Sequence, residues 1–91
     1  RLFFHLVDLL QDPEPVARTA AAQVLGSIDS EVSELLLRMK AGQPDEEPEV
    51  LGECLGALMR VAPRESLAFV GGFLERGHPV AVEGLAGLIP Q

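Results

Sequence analysis

At 91 residues and 47% hydrophobic content, the chain is the length of one small folded domain and too apolar for a disordered segment. With four Phe and no Trp or Tyr, a core has to be built from Leu, Val and Ala at close spacing, which suits packed helices. A formal charge of −7, with Lys40 the single lysine among six scattered arginines, excludes phosphate-driven nucleic-acid binding, and no apolar run is long enough to span a bilayer. A lone cysteine, Cys54, excludes an intrachain disulfide and a cysteine-based metal site, and points to a reducing, cytoplasmic compartment.

The first predicted helix, 2–11, carries Phe3, Leu6, Val7 and Leu10 at i, i+3, i+4, i+7, one helical face. His5 and Asp8 are three apart, with Asp12 one turn further. No other His or Cys joins them, and a solvated face is expected rather than a metal or acid–base cluster. The second helix, 15–28, opens on Pro15, which suits the first helical position because its missing N–H is unpaired there anyway. Its apolar face is Ala17, Ala21, Val24 and Leu25. The third, 30–40, has Asp29 or Ser30 as its cap and is expected to turn Val32, Leu35, Leu36 and Met39 inward. The stretch that follows, KAGQPDEEPEV, holds Asp45, Glu46, Glu47 and Glu49. Such a run reads either as a solubilising loop, with its acids favoured by the next helix dipole, or as a docking edge for a basic protein partner.

The fourth helix, 48–62, opens on Pro48 and aligns Val50, Cys54, Ala57 and Leu58. Cys54 has Glu53 beside it and no positive charge near it in sequence, so it reads as a small buried hydrophobe and not as a nucleophile. The fifth, 63–76, opens on Pro63 and is expected to turn Leu67, Val70, Gly71 and Leu74 inward. Phe69 and Phe73 then form an i, i+4 aromatic pair opposite that stripe, where the third helix has Glu34 and Arg38. Exposed, they form a protein-binding hot spot with Leu37 nearby; packed on a neighbouring helix, they are core. Gly71 and Gly72 lack the lysine and the strand of a phosphate loop, and are expected to permit close backbone approach. The sixth helix, 79–89, follows His78 as a local cap, opens on Pro79, and lines up Ala81, Leu85, Leu88 and Ile89. No ordering of Ser, His and Asp marks a catalytic residue.

Pro15 and Pro48 are 33 residues apart, and Pro48 and Pro79 are 31 apart. After each, the same i, i+4, i+7, i+8 positions are apolar. Such a period marks a helical repeat, and the chain reads as all-α: six helices alternating B-A-B-A-B-A, stacked as antiparallel pairs in an α-solenoid. From the last apolar residue of a B helix to the next proline is five residues for Leu10 to Pro15 and for Leu74 to Pro79, but nine for Met39 to Pro48, so the acidic stretch is an insertion.

Asp12, Pro13, Pro15, Arg18, Ala20, Ala21, Ala22, Leu25 and Gly26 stand in the stretch DPEPVARTAAAQVLG, which resembles the first-helix signature of HEAT-like repeats of the phycobilisome-lyase type. The second copy keeps Asp45, Pro48, Glu49, Val50 and Leu58, with Leu51 in place of the Arg and Leu55 in place of an Ala; the third keeps Pro79 and the apolar face. The resemblance implies an armadillo-like superhelix in which each repeat touches only its neighbours, with Asp12 and Arg18 tying adjacent repeats together. Residues 1–91 are expected to form one array, a fragment of a longer one. The expected function is a non-catalytic protein-interaction or scaffold module, without cofactor or metal, that takes a protein partner and neither nucleic acid nor membrane. The alternative is a fragment or subunit of a larger HEAT-like enzyme, such as a lyase-type factor, with catalytic residues elsewhere. Both ends are apolar, so they are expected to be covered by more protein or by self-association with another copy.

Overall fold

The computed structural model describes residues 1–43 and 47–89, and among them there are six helices and no strand. They are α1 (Leu2–Leu10), α2 (Pro15–Leu25), α3 (Glu31–Ala41), α4 (Pro48–Val61), α5 (Pro63–Glu75) and α6 (Pro79–Ala86). Prolines open α2, α4, α5 and α6, as their fixed φ and missing N–H allow. Ser30, not Asp29, caps α3: its Oγ accepts the Val32 N–H at 3.1 Å. At α6 the His78 Nδ1 accepts the Ala81 N–H at 3.3 Å. Between α5 and α6, Gly77 takes φ 62°, the Gly77 N–H donates to Leu74 O at 3.0 Å, and the His78 N–H donates to Phe73 O at 3.0 Å. That pair of bonds is a Schellman stop, and only a glycine takes the left-handed position without steric cost. α2 and α6 stop at Leu25 and Ala86, a few residues short of the expected ends, each followed by glycine as its C-cap.

α4 occupies the centre and touches α2, α3, α5 and α6. Its residues Val50, Cys54, Leu55, Ala57 and Leu58 are all fully buried. Two close approaches fix its neighbours. A Cβ placed on Gly26 would lie 2.7 Å from Ala57 Cβ, so α2 ends directly against α4. A Cβ on Gly84 would lie 2.8 Å from the Gly52 nitrogen and nearer still to the Pro48 carbonyl, so α4 and α6 cross backbone on backbone. The close approach expected at Gly71 and Gly72 is therefore found elsewhere. Nothing lies within 4 Å of a Cβ at Gly71, and at Gly72 the nearest atom is Arg76 Nη1 at 3.2 Å.

The expected face of α4 is buried, and Leu6 and Leu10 of α1 are buried, with Phe3 packed against the core and Val7 half-buried. The faces of α3 and α5 differ from expectation. α3 buries Ser33, Leu37, Lys40 and Ala41, while Val32, Leu35 and Met39 are 44%, 58% and 61% exposed. α5 buries Ser66, Val70 and Phe73, and leaves Leu67 and Leu74 outside. The reason is shape. Serine and alanine let a helix backbone approach a neighbour, and both helices are apolar on more than one face, so hydropathy alone does not choose between them. The stripes expected along α2 and α6 are only partly covered: Val24 on α2, and Leu88 and Ile89 beyond the end of α6, remain exposed.

Helices α1, α3 and α5 are less closely packed with one another than α2, α4 and α6. α1 touches α3, but among the described residues α3 and α5 have no close backbone approach. Arg38 bridges them instead, its Nη2 donating to the Glu65 carbonyl and its guanidinium carbon lying 5.1 Å from the Phe69 ring centre.

Candidate functional site

Burial changes the reading of the aromatic pair. Leu37 is fully buried, Phe73 is 7% exposed and Phe69 is half-buried, so these three do not form the open hot spot that their positions suggested. Phe73 belongs to the buried face of α5. Its ring meets Phe69 edge-on at 5.4 Å and His78 edge-on at 5.4 Å, with Arg76 5.1 Å over it. Arg38 covers Phe69 in the same way and pairs with Glu34 at 3.3 Å. The result is a row of rings with a guanidinium against each phenyl ring, half inside the protein.

Of the acidic stretch, Asp45 and Glu46 lie outside the described residues. Glu47 and Glu49 are exposed at the start of α4, where the first-turn N–H groups favour negative charge. The structure adds two carboxylates that the sequence reading missed. Glu53 lies one turn beyond Glu49, and Glu83 precedes Gly84 on α6. Because Gly52 and Gly84 meet at the crossing, their neighbours Glu53 and Glu83 come to one cleft, with Glu47, Glu49 and Thr19, enclosing about 530 Å³. Glu53 is held low in this cleft, 12% exposed in its side chain and 3.8 Å from Arg60. The signal for Glu53 was present as an i, i+4 pair with Glu49; Glu83 required knowledge of the helix crossing.

Asp12 and Arg18 meet, though not as carboxylate and guanidinium. Asp12 Oδ1 accepts the Glu14 N–H at 2.9 Å, turning the chain into α2. Arg18 Nη1 donates to the backbone carbonyls of Asp12 at 2.7 Å and Pro13 at 3.0 Å. These bonds staple the α1–α2 junction through backbone atoms. Cys54 is fully buried. His5 and Asp8 are exposed, and among the described residues no group of three His, Cys, Asp or Glu is placed to hold a metal ion. No described helix is long and apolar enough to cross a membrane. No family model, no curated protein and no solved structure matches this chain.

Proposed function

We propose that this chain is a non-catalytic protein-interaction module of the HEAT-like type, and that it engages a basic protein segment through the acidic cleft between α4 and α6. The observation that carries the reading is the convergence of Glu47, Glu49, Glu53 and Glu83, from two helices, on one cleft of about 530 Å³. Carboxylates gathered on one concavity raise the local concentration of cationic side chains and speed their encounter. Support for the repeat scaffold comes from the alternation of six helices and from the 33-residue spacing that relates Ser33 to Ser66 and Pro15 to Pro48, the first pair buried alike and the second opening α2 and α4. In this reading Arg18 and Asp12 hold the junction where one repeat passes into the next. A cytoplasmic setting goes with it, Cys54 being a lone thiol sealed in the core.

The test is calorimetric titration with a lysine-rich dodecapeptide, comparing the native chain with Glu49→Gln/Glu83→Gln. Glu53 is kept because it faces Arg60. Two cleft charges removed should weaken binding by roughly tenfold at low salt, and affinity should fall as salt is raised. Equal affinity in the double variant would exclude the cleft as the docking surface.

A further inference from the structure

A second concavity, about 470 Å³, lies between the end of α3 and α5, with Phe69 and Phe73 along it. That is the size range of small-ligand sites. In a chain of formal charge −7, no described residue lining this groove carries a carboxylate, and two of them, Arg76 and His78, are nitrogen bases. The Arg76 guanidinium rests over the Phe73 ring at 5.1 Å and has no hydrogen-bond or ion-pair partner among the described residues, so its forked N–H donors are uncommitted. His78 uses Nδ1 to accept the Ala81 N–H, which places the proton of its neutral ring on Nε2 as a donor. Gln43, also on the groove, gives its Oε1 to Lys40 at 2.9 Å, which leaves its –NH2 as donor. The groove thus offers cationic and neutral donors beside an aromatic wall.

We propose that this groove binds a small organic anion, one carboxylate on a flat aromatic body, with the carboxylate at Arg76 and the body against Phe69. The planar guanidinium matches a carboxylate with two parallel N–H···O bonds, and its cation–π contact with Phe73 holds it in place beforehand. The half-buried Phe69 ring, itself held edge-on by Phe73, gives the aromatic body a rigid partner. Nothing in this inference depends on the acidic cleft, which lies on α4 and α6.

The experiment is an amide-detected NMR titration of the 15N-labelled chain with 2-naphthoate, with 2-naphthalenemethanol and acetate run alongside, and with Arg76→Gln and Arg64→Gln variants. Arg76 is exposed, so its substitution leaves the core intact. Saturable shifts confined to residues 41–43 and 68–78 are expected with naphthoate. Affinity should drop by about tenfold for the uncharged alcohol and in Arg76→Gln, stay unchanged in Arg64→Gln, and be undetectable for acetate. Absence of saturable shifts, equal binding of the alcohol, or equal binding by Arg76→Gln would overturn the proposal. An equal loss in Arg64→Gln would reduce the effect to net charge and overturn it too. Tighter binding of a glutamate-rich hexapeptide than of naphthoate would overturn the small-ligand class in favour of an acidic peptide.

Discussion

Ser33 and Ser66 are fully buried, and neither hydroxyl has a hydrogen-bond partner among the described residues. They sit 33 residues apart, on the buried faces of α3 and α5, so a small polar residue is buried in the same way in two helices. Their small size is what the packing uses; the hydroxyl adds only a desolvation cost of about 1–3 kcal/mol when left unpaired. Ser33→Ala and Ser66→Ala keep the size, remove the cost and improve helix propensity, so each should raise stability by about 1 kcal/mol. Urea unfolding would register this as a higher midpoint at constant slope, and a lowered midpoint would mean that the hydroxyls are bonded in solution. Arg18 is the opposite case. Arg18→Met keeps much of the aliphatic stem but abandons the carbonyls of Asp12 and Pro13, and a loss of about 1–2 kcal/mol is expected in the same measurement. A neutral outcome would remove Arg18 from the α1–α2 junction.

Among the elements, α6 is the most dependent on a single contact. It has eight residues, too few to hold a helix alone in water, and it packs chiefly on α4 through the Gly52–Gly84 crossing. A Cβ at Gly84 would run into the α4 backbone at Gly52 and Pro48, neither of which can rotate away. Gly84→Ala should therefore cost about 2–3 kcal/mol or release α6, despite alanine's better helix propensity. Hydrogen exchange separates the outcomes: amides at 82–86 should lose protection first, with α2 and α3 little changed. Protection equal to the native chain would show that the two backbones do not meet as described.

How each element was or was not legible follows from similar physics. The helix starts could be read from Pro15, Pro48, Pro63 and Pro79, because a proline's fixed φ and missing N–H are local properties. The inward faces of α3 and α5 could not. α3 carries Val32, Leu35, Leu36, Leu37 and Met39 around most of its circumference, and the face chosen is the one where Ser33 and Ala41 permit approach. That choice is tertiary, and it decides between the exposed and the packed readings of Leu37 and Phe73 by placing both in the interior. The acidic edge was half legible: Glu47 and Glu49 lie in one run, whereas Glu83 joins them only through the crossing of α4 and α6.

At the scale of the molecule, charge is unevenly spread. Four carboxylates surround the α4–α6 cleft, while the arginine-flanked rings lie with the groove between α3 and α5. With a formal charge of −7, gathering Glu47, Glu49, Glu53 and Glu83 on one concavity opposes folding through like-charge repulsion, as interaction surfaces often do at some expense of stability. The repulsion is screened by salt, since the Debye length falls from about 30 Å at 0.01 M to about 8 Å at 0.15 M. Thermal unfolding should therefore shift upward with added sodium chloride. In Glu49→Gln/Glu83→Gln the melting temperature should start higher and depend less on salt, while affinity for the lysine-rich peptide falls. The two effects together identify a surface kept acidic for binding at a cost in stability. If the variant melts lower than the native chain at low salt, the cleft glutamates stabilise the fold and the acidic cleft is structural.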